Sequence, residues 1–324
     1  MILIIINHNL LKEWMLVMNK SHLFIEDTKI ATIQDEGRFG YEKFGVTING
    51  ATDMYAYMVG NKLLNNDLTE PSIEIMIFDF SIRSEIDVPF CVTGCPADVM
   101  IDGNSVDQWS VENLPAGSTL SVKNISKGLK TYIAFGGGLD VPEILGSASL
   151  DTVAKFGEPL RKGQELKLKN ENVSLSETNS HLKNFEIPSY GAPWNIHVSD
   201  GPDTQRFEKE LKVFFTSKYR VSPESNNVGV RLNGPPVSNP EFEEVLSRGV
   251  AIGAIQVIPN GQPIILHRGR TLTAGYPVIG AVATCDLGLV GQARPGDEIN
   301  FSYIPVDEAE KLYQKKFGFL ASSS

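Results

Sequence analysis

The chain has 324 residues, 42% of them apolar and 21% charged, the make-up of an ordinary globular protein long enough for two domains. Lys and Arg total 29 against 39 Asp and Glu, and no basic stripe with interleaved aromatics occurs, which argues against a nucleic-acid partner. Three cysteines (Cys91, Cys95, Cys285) make no disulfide framework, and five scattered histidines form no HxH or HxxxH pair, so buried thiols in a reducing cytoplasm are expected and no metal site.

In chain order, the apolar run Ile2–Ile6 falls well short of the ~20 residues that cross a bilayer, and neither a preceding basic residue nor a cleavage site marks a signal peptide. Residues 1–20 read as an extension outside the fold, with Met18 as a natural start; a short interfacial helix is the alternative. From residue 21 on, β-type runs dominate: "HLFIED", "SIEIMIF", "SIRSEID", "PFCVTG", "ADVMIDG", "STLSVKNI" and "KTYIAFGG", separated by turn residues. Regularly spaced short strands point to a barrel or sandwich. One helix interrupts them, "ATDMYAYMVGNKLLNN", which Thr52 or Asp53 can cap. Residues 171–189 are polar and weakly periodic and serve as the predicted linker. The pattern then restarts with the strand "WNIHVSDG", the helix "PDTQRFEKELKVFFTSKY" with Phe207, Leu211 and Phe214 on its apolar face, and the strands "GVRLNG", "AIGAIQVIP", "QPIILHRG" and "PGDEINFSYI". A last helix, "PVDEAEKLYQKKF", is expected outside the second unit, within a C-terminal helix and tail over 306–324.

No Walker loop, GxGxxG or GxSxG is present. Gly136, Gly137 and Gly138 could cradle an anion with backbone N–H groups or turn a tight corner. Loops dense in special-conformation residues stand out: "TIQDEGRFGYEKFGV", "NGATD", "VTGCPADV", "GGGLDVPEILGSASLD", "SNNVGVRLNGPP", "GAIQVIPNGQPIIL" and "GRTLTAGYP". Loops on a rigid scaffold often carry function.

Together and in order, these segments resemble the allophanate hydrolase subunit 2 group, also called the biotin-dependent carboxyltransferase or Kip-antagonist family. "QDEGRFGY" resembles its Q-D-x-G-R-x-G-[YF], "NGATD" its S-G-A-M-D with Asn49 for serine, and "GGGLDVPEILGSAS" its G-G-I-D-V-P-x-V-L-G-S-R-S with Ala148 for arginine. "GAIQVIPNGQPIIL" matches almost throughout. "GRTLTAGYPVIG" resembles D-R-Q-T-T-G-G-Y-P-x-I-A, with Gly269, Thr271, Leu272 and Ala274 as departures, and Asn227 stands where an arginine is usual.

The resemblance implies a mainly β fold with a few helices, built as two cyclophilin-like β-barrels over 21–170 and 190–305. It implies a cytoplasmic subunit of an ATP-dependent amide hydrolase of the 5-oxoprolinase type, working with a subunit-B-like partner (allophanate hydrolase subunit 1 or Kip-inhibitor-like) on a small or cyclic amide. ATP would belong to the assembled complex. The alternatives are a biotin-dependent carboxyltransferase for urea or a similar amide, with biotin on another protein, and a non-catalytic regulatory partner. Attack on an amide builds negative charge on its oxygen, which preorganised donors would stabilise. The candidate catalytic residues are Arg38, Gln256, Arg270, Thr273 and Tyr276, with Asp53 as base or orienter or, equally, as helix cap; Asp35 is a second carboxylate. Thr93, Gly94, Gly136, Gly137, Gly138, Gly275 and Pro277 are the candidate substrate contacts.

Overall fold

The computed structural model describes residues 22–182, 185–239, 241 and 245–321; the predicted N-terminal extension lies outside the described residues. Within them the chain is mainly β, as the strand-rich sequence implies. The first half forms two sheets. One has seven strands in the order Leu139–Asp140, Glu165–Leu168, Leu23–Thr28, Phe80–Ser84, Thr119–Lys123, Asp98–Ile101 and Asn104–Ser105. The other has five: Ala31–Gln34, Ser72–Met76, Lys130–Phe135, Val88–Gly94 and Val111–Leu114. The second half closes as a seven-stranded barrel of Trp194–Asp200, Val278–Val282, Ala254–Val257, Pro263–Leu266, Gly229–Asn233, Tyr219–Val221 and Glu298–Tyr303. Its closing pair is parallel, with Ile196 opposite Phe301.

Among the described residues, four α-helices accompany the sheets. The first, α1 (Met54–Leu63), starts where the capping signal puts it: Asp53 Oδ1 accepts from Ala56 N at 3.2 Å. It lies across Val88–Gly94 and Lys130–Phe135, where Thr93 Oγ1 donates to Ala56 O at 2.7 Å. The second predicted helix is a 3-10 turn, Thr204–Phe207, running into α2 (Glu208–Thr216), and it buries Phe207, Leu211 and Phe214 as its spacing requires. Asp203 does not cap it; its carboxylate accepts from Val278 N at 2.8 Å and from Arg248.

A short helix, α3 (Leu287–Gln292), is not among the predicted elements, because "LGLVGQ" carries two glycines and no cap box. The terminal helix α4 (Val306–Phe317) buries none of its residues fully and lies on the outside, with Phe317 edge-on to Tyr55 of α1 at 5.3 Å. The segment after the first sheets is tied to α1 as well: Asn179 N donates to Leu63 O at 2.8 Å, and Tyr55 Oη to Glu186 O at 2.8 Å.

The cysteines are buried and free, and burial pushes the Cys95 and Cys285 thiols up to about 11. Among the described residues no three His, Cys, Asp or Glu side chains converge to hold a metal, and no helix is long and apolar enough to cross a membrane.

Candidate functional site

The central strand of the five-stranded sheet carries two chemistries. On one face, Thr131, Ile133 and Phe135 alternate with Lys130, Tyr132 and Ala134 on the other. Tyr132 pairs with Glu74 on one side and Thr93 on the other, so Glu74 falls on the Lys130–Tyr132 face by register alone. All of these residues are buried. Lys130 Nζ meets Glu74 Oε1 at 2.9 Å and also donates to Thr52 Oγ1. Tyr132 Oη donates to Glu74 Oε2 at 2.8 Å, and Thr52 N donates to the same oxygen at 3.1 Å. Burial alone would raise the Glu74 carboxyl, but the Lys130 ammonium and these hydrogen bonds outweigh it and hold the group below the usual carboxylate range.

The barrel covers this face. His267 and Arg268 follow the strand Pro263–Leu266, His267 sits against α3, and the two halves line a partly open cavity of about 270 Å³. Its ionisable lining residues are Glu74, Lys130, His267 and Arg268; Gln34, Asn49, Thr52, Asn226 and Asn227 add amides and a hydroxyl. His267 Nε2 lies 3.0 Å from Leu287 O. A carbonyl only accepts, so Nε2 carries the proton and Nδ1 is left as an acceptor. Burial, with Lys130 and Arg268 nearby, pulls this imidazole down to about 4, and it is neutral at pH 7. Arg268 crosses to the first half, Nε donating to Asn49 O at 2.6 Å and Nη2 to Glu36 O. Burial lowers its guanidinium to about 10, still charged at neutral pH. Thr52, His267 and Arg268 also form the partition to a neighbouring, more apolar cavity of about 180 Å³ walled by Met54, Met58, Leu287, Tyr313 and Phe317.

One residue locks the halves together beneath the ion pair. Gln292, at the end of α3, is 0% exposed and uses its whole amide. Its Oε1 accepts from Leu129 N (2.9 Å) and Lys130 N (2.7 Å), while Nε2 donates to Lys130 O (2.9 Å) and Asp53 Oδ2 (3.1 Å).

The thirteen candidate residues fall into separate groups. Asp53 caps α1 and sits in a closed network: Oδ2 also accepts from Tyr190 Oη at 3.0 Å, and its N donates to Tyr132 Oη at 2.8 Å. Thr93 is held by α1, and Gly94 ends its strand opposite Thr131. Arg38 pins a neighbouring loop, donating to the carbonyls of Ile144 (2.9 Å), Ser147 (3.2 Å) and Ser149, while Asp35 accepts from Gly37 N, Ala148 N and the Ser147 and Ser149 hydroxyls. Gly136–Gly138 form a corner: Gly137 has φ +84°, a Cβ there would stand 1.9 Å from Asn170 O, and the three amides donate to Pro89 O, Asn66 Oδ1 and Phe135 O rather than into an open cradle.

Gln256, Arg270, Thr273, Gly275, Tyr276 and Pro277 belong to the barrel and its adjoining ladder. Thr273 pairs with Gly249, Gly275 O accepts from Val245 N (3.0 Å), Pro277 O accepts from Val257 N (3.0 Å), and Tyr276 is half-buried on the same loop. Arg270 Nε donates to Val250 O at 2.8 Å; its Nη1 and Gln256 Nε2 are buried without a partner. None of the thirteen lines the 270 Å³ cavity. The motifs reach it through their neighbours Gln34, Asn49, Gly50, Thr52, Asn227 and Gly269. Three of these, Asn49, Asn227 and Gly269, are positions where the chain departs from the pattern it resembles, and they touch: Gly269 N donates to Asn227 O at 3.0 Å, and a Cβ on Gly269 would stand 3.2 Å from Asn49 Oδ1.

Glu74, Lys130, His267 and Arg268 are absent from the candidates drawn from the sequence. The available signal was Glu74 between two isoleucines and Lys130 and Tyr132 on one face of "KTYIAF", polar residues where a buried strand should be apolar.

A mainly β chain with a charged cavity between its two halves defines a class that its relatives identify. Residues 44–303 match the family described as carboxyltransferase domain, subdomain A and B, and the chain belongs to that family. Over 289 residues it is 32% identical to the C-type subunit of 5-oxoprolinase from Escherichia coli (strain K12), covering 87% of this chain and 91% of that protein. It is 30% identical over 311 residues to urea amidolyase of Saccharomyces cerevisiae, covering 88% of this chain but 17% of that protein. The crystal structure of the Kluyveromyces lactis urea carboxylase superposes with a TM-score of 0.84 at 26% identity, over 93% of this chain and 29% of that one. The relatives are thus enzymes or subunits of enzymes, and the chain corresponds to a small part of the two urea-processing ones.

Proposed function

We propose that this chain is the C-type subunit of an ATP-dependent amide hydrolase of the 5-oxoprolinase type and acts with a subunit-B-like partner in the cytoplasm. The observation that carries the reading is the Lys130–Glu74 pair in the wall of the cavity between the halves, 3% and 6% exposed. An amide presents a carbonyl that needs a donor and an N–H that needs an acceptor. The Lys130 ammonium and the Glu74 carboxylate supply both within 2.9 Å, in a setting where charges act more strongly than in water. The near full-length correspondence with the C-type 5-oxoprolinase subunit supports the same reading.

ATP is assigned to the complex and not to this cavity. At neutral pH Lys130 and Glu74 cancel, His267 is neutral, and the single excess positive charge on Arg268 suits a small monoanion and not a triphosphate. The loop candidates Arg38, Gln256, Arg270, Thr273 and Tyr276 would act as supports of the surrounding loops or in contacts with the partner.

The urea carboxyltransferase reading, with biotin on another protein, is favoured by the superposition on the urea carboxylase. Reconstitution with the subunit-B-like partner decides between them. The first reading expects ATP hydrolysis dependent on 5-oxoproline and abolished by Glu74→Gln or Lys130→Met, with folding of each variant checked by its melting curve. Carboxyl transfer from free carboxybiotin to urea, with no such ATP hydrolysis, would reject it.

A further inference from the structure

Arg268 stands apart from the other charges of the cavity. Glu74 is neutralised by Lys130 at 2.9 Å, and Asp35, outside the cavity lining, is saturated by hydroxyl and backbone donors. The Arg268 guanidinium touches only the neutral carbonyls of Asn49 and Glu36. Asp35 and Glu36 bias it from a distance, but no carboxylate among the described residues makes an ion pair with it. Two of its five N–H groups are used in those bonds, and the side chain lines both the 270 Å³ and the 180 Å³ cavities. A charge removed from bulk water without a counterion is costly, and a planar fork of donors beside a cavity matches a carboxylate. Gln34, in the same wall, has a buried Oε1 with no partner, an acceptor suited to an amide N–H.

We infer that Arg268 is the specificity-determining residue of this site: it holds the substrate's carboxylate and so makes the site prefer a carboxylate-bearing amide to an uncharged amide or urea. The carboxylate supplies the counter-charge that the fold withholds from Arg268, and the amide lies toward Lys130, Glu74 and Gln34. This rests on the 5-oxoprolinase-type reading, whose substrate carries the carboxylate, and names the residue that holds it.

The test uses the complex of this chain with its companion subunit and three ligands that share one ring: 5-oxoprolinate, its neutral carboxamide 5-oxoprolinamide, and 2-pyrrolidinone. Titration calorimetry at fixed ionic strength should show the carboxylate form binding roughly 10- to 100-fold more tightly than either neutral ligand, as expected for a charge-assisted pair. In Arg268→Gln the three should bind within about threefold of one another. Equal binding of carboxylate and carboxamide by the wild type overturns the inference without any variant, as does no detectable binding of all three. A preference that survives in a folded Arg268→Gln also overturns it. Should that variant not fold, Arg268→Lys is expected to keep a weakened preference, and its loss of none or all of the preference counts against the role. ATP turnover by the same complex reports separately. Turnover without carboxylate preference removes only the Arg268 assignment; preference without turnover removes only the hydrolytic reading.

Discussion

His267 makes the fold of this site measurable through pH. Its imidazole titrates at about 4 in the fold and at 6.5 when unperturbed, a difference worth about 3 kcal/mol at roughly 1.36 kcal/mol per pH unit. The folded pKa is lowered, so the fold favours neutral histidine. Above pH 6.5 both folded and unfolded chains are neutral there and the stabilisation is complete. As pH falls from 6.5 toward 4, the unfolded chain gains a proton that the folded one refuses, and the advantage is lost across that window. The groups that set this are the surrounding burial, the Lys130 and Arg268 cations, and, opposing them, Glu74 and the bond to Leu287 O. His267→Gln places a non-titrating amide N–H where Nε2 donates to Leu287 O. Urea unfolding of both proteins at half-unit steps from pH 7.5 to 4, followed by circular dichroism, gives the difference between their stabilities. Carboxylates common to both cancel. The wild-type advantage should shrink by about 3 kcal/mol between pH 7 and 4, and a difference that stays level across the range would refute the buried, neutral imidazole.

Lys130→Met should leave the Glu74 carboxylate buried and unpaired and cost about 3–5 kcal/mol in chemical denaturation, whereas adding Glu74→Gln, which removes the stranded charge and keeps an acceptor for Tyr132, should restore at least half of that loss. Gln292→Ala strands the N–H groups of Leu129 and Lys130, while Lys130 O and Asp53 Oδ2 each keep a second donor in Cys95 N and Tyr190 Oη; we expect a loss of about 3 kcal/mol and faster hydrogen exchange at the amides of Leu129 and Lys130. Gly269→Ala introduces a Cβ 2.8 Å from Asn227 O, and should lower stability by about 1–3 kcal/mol in the same unfolding assay.

Much of this architecture is legible in residue patterns. "SIEIM" and "KTYIAF" read as strands, and the register of the sheet puts Glu74 beside Tyr132. Asp53 reads as a cap before "MYAYMVGNKL" and is one, which places it in a closed network and out of the cavity. The motif residues Gln34, Asn49, Gly50 and Thr52 flag a loop that does reach the cavity wall, while Arg38, a few positions on, turns back to hold the Ile144–Ser149 loop. Spacing along the chain carries no record of which way such a loop side chain points. α3 is not legible because a six-residue helix with two glycines has little propensity of its own and exists through its packing.

The sequence by itself determined the mainly β character, the positions of the longer helices, the cap of α1 and the family, because period-two alternation, capping residues and motif order are local properties written in neighbouring residues. Only the tertiary structure decided where the chemistry lies. The cavity takes Gln34, Thr52, Glu74 and Lys130 from the first half, and Asn227, His267, Arg268 and Val290 from the second. Alternation says that Lys130 and Glu74 share a face, but not what covers it. That cover is the barrel, whose Gln292 fixes the Lys130 backbone, whose neutral His267 walls the polar strand face and whose Arg268 gives the resulting cavity its one excess positive charge.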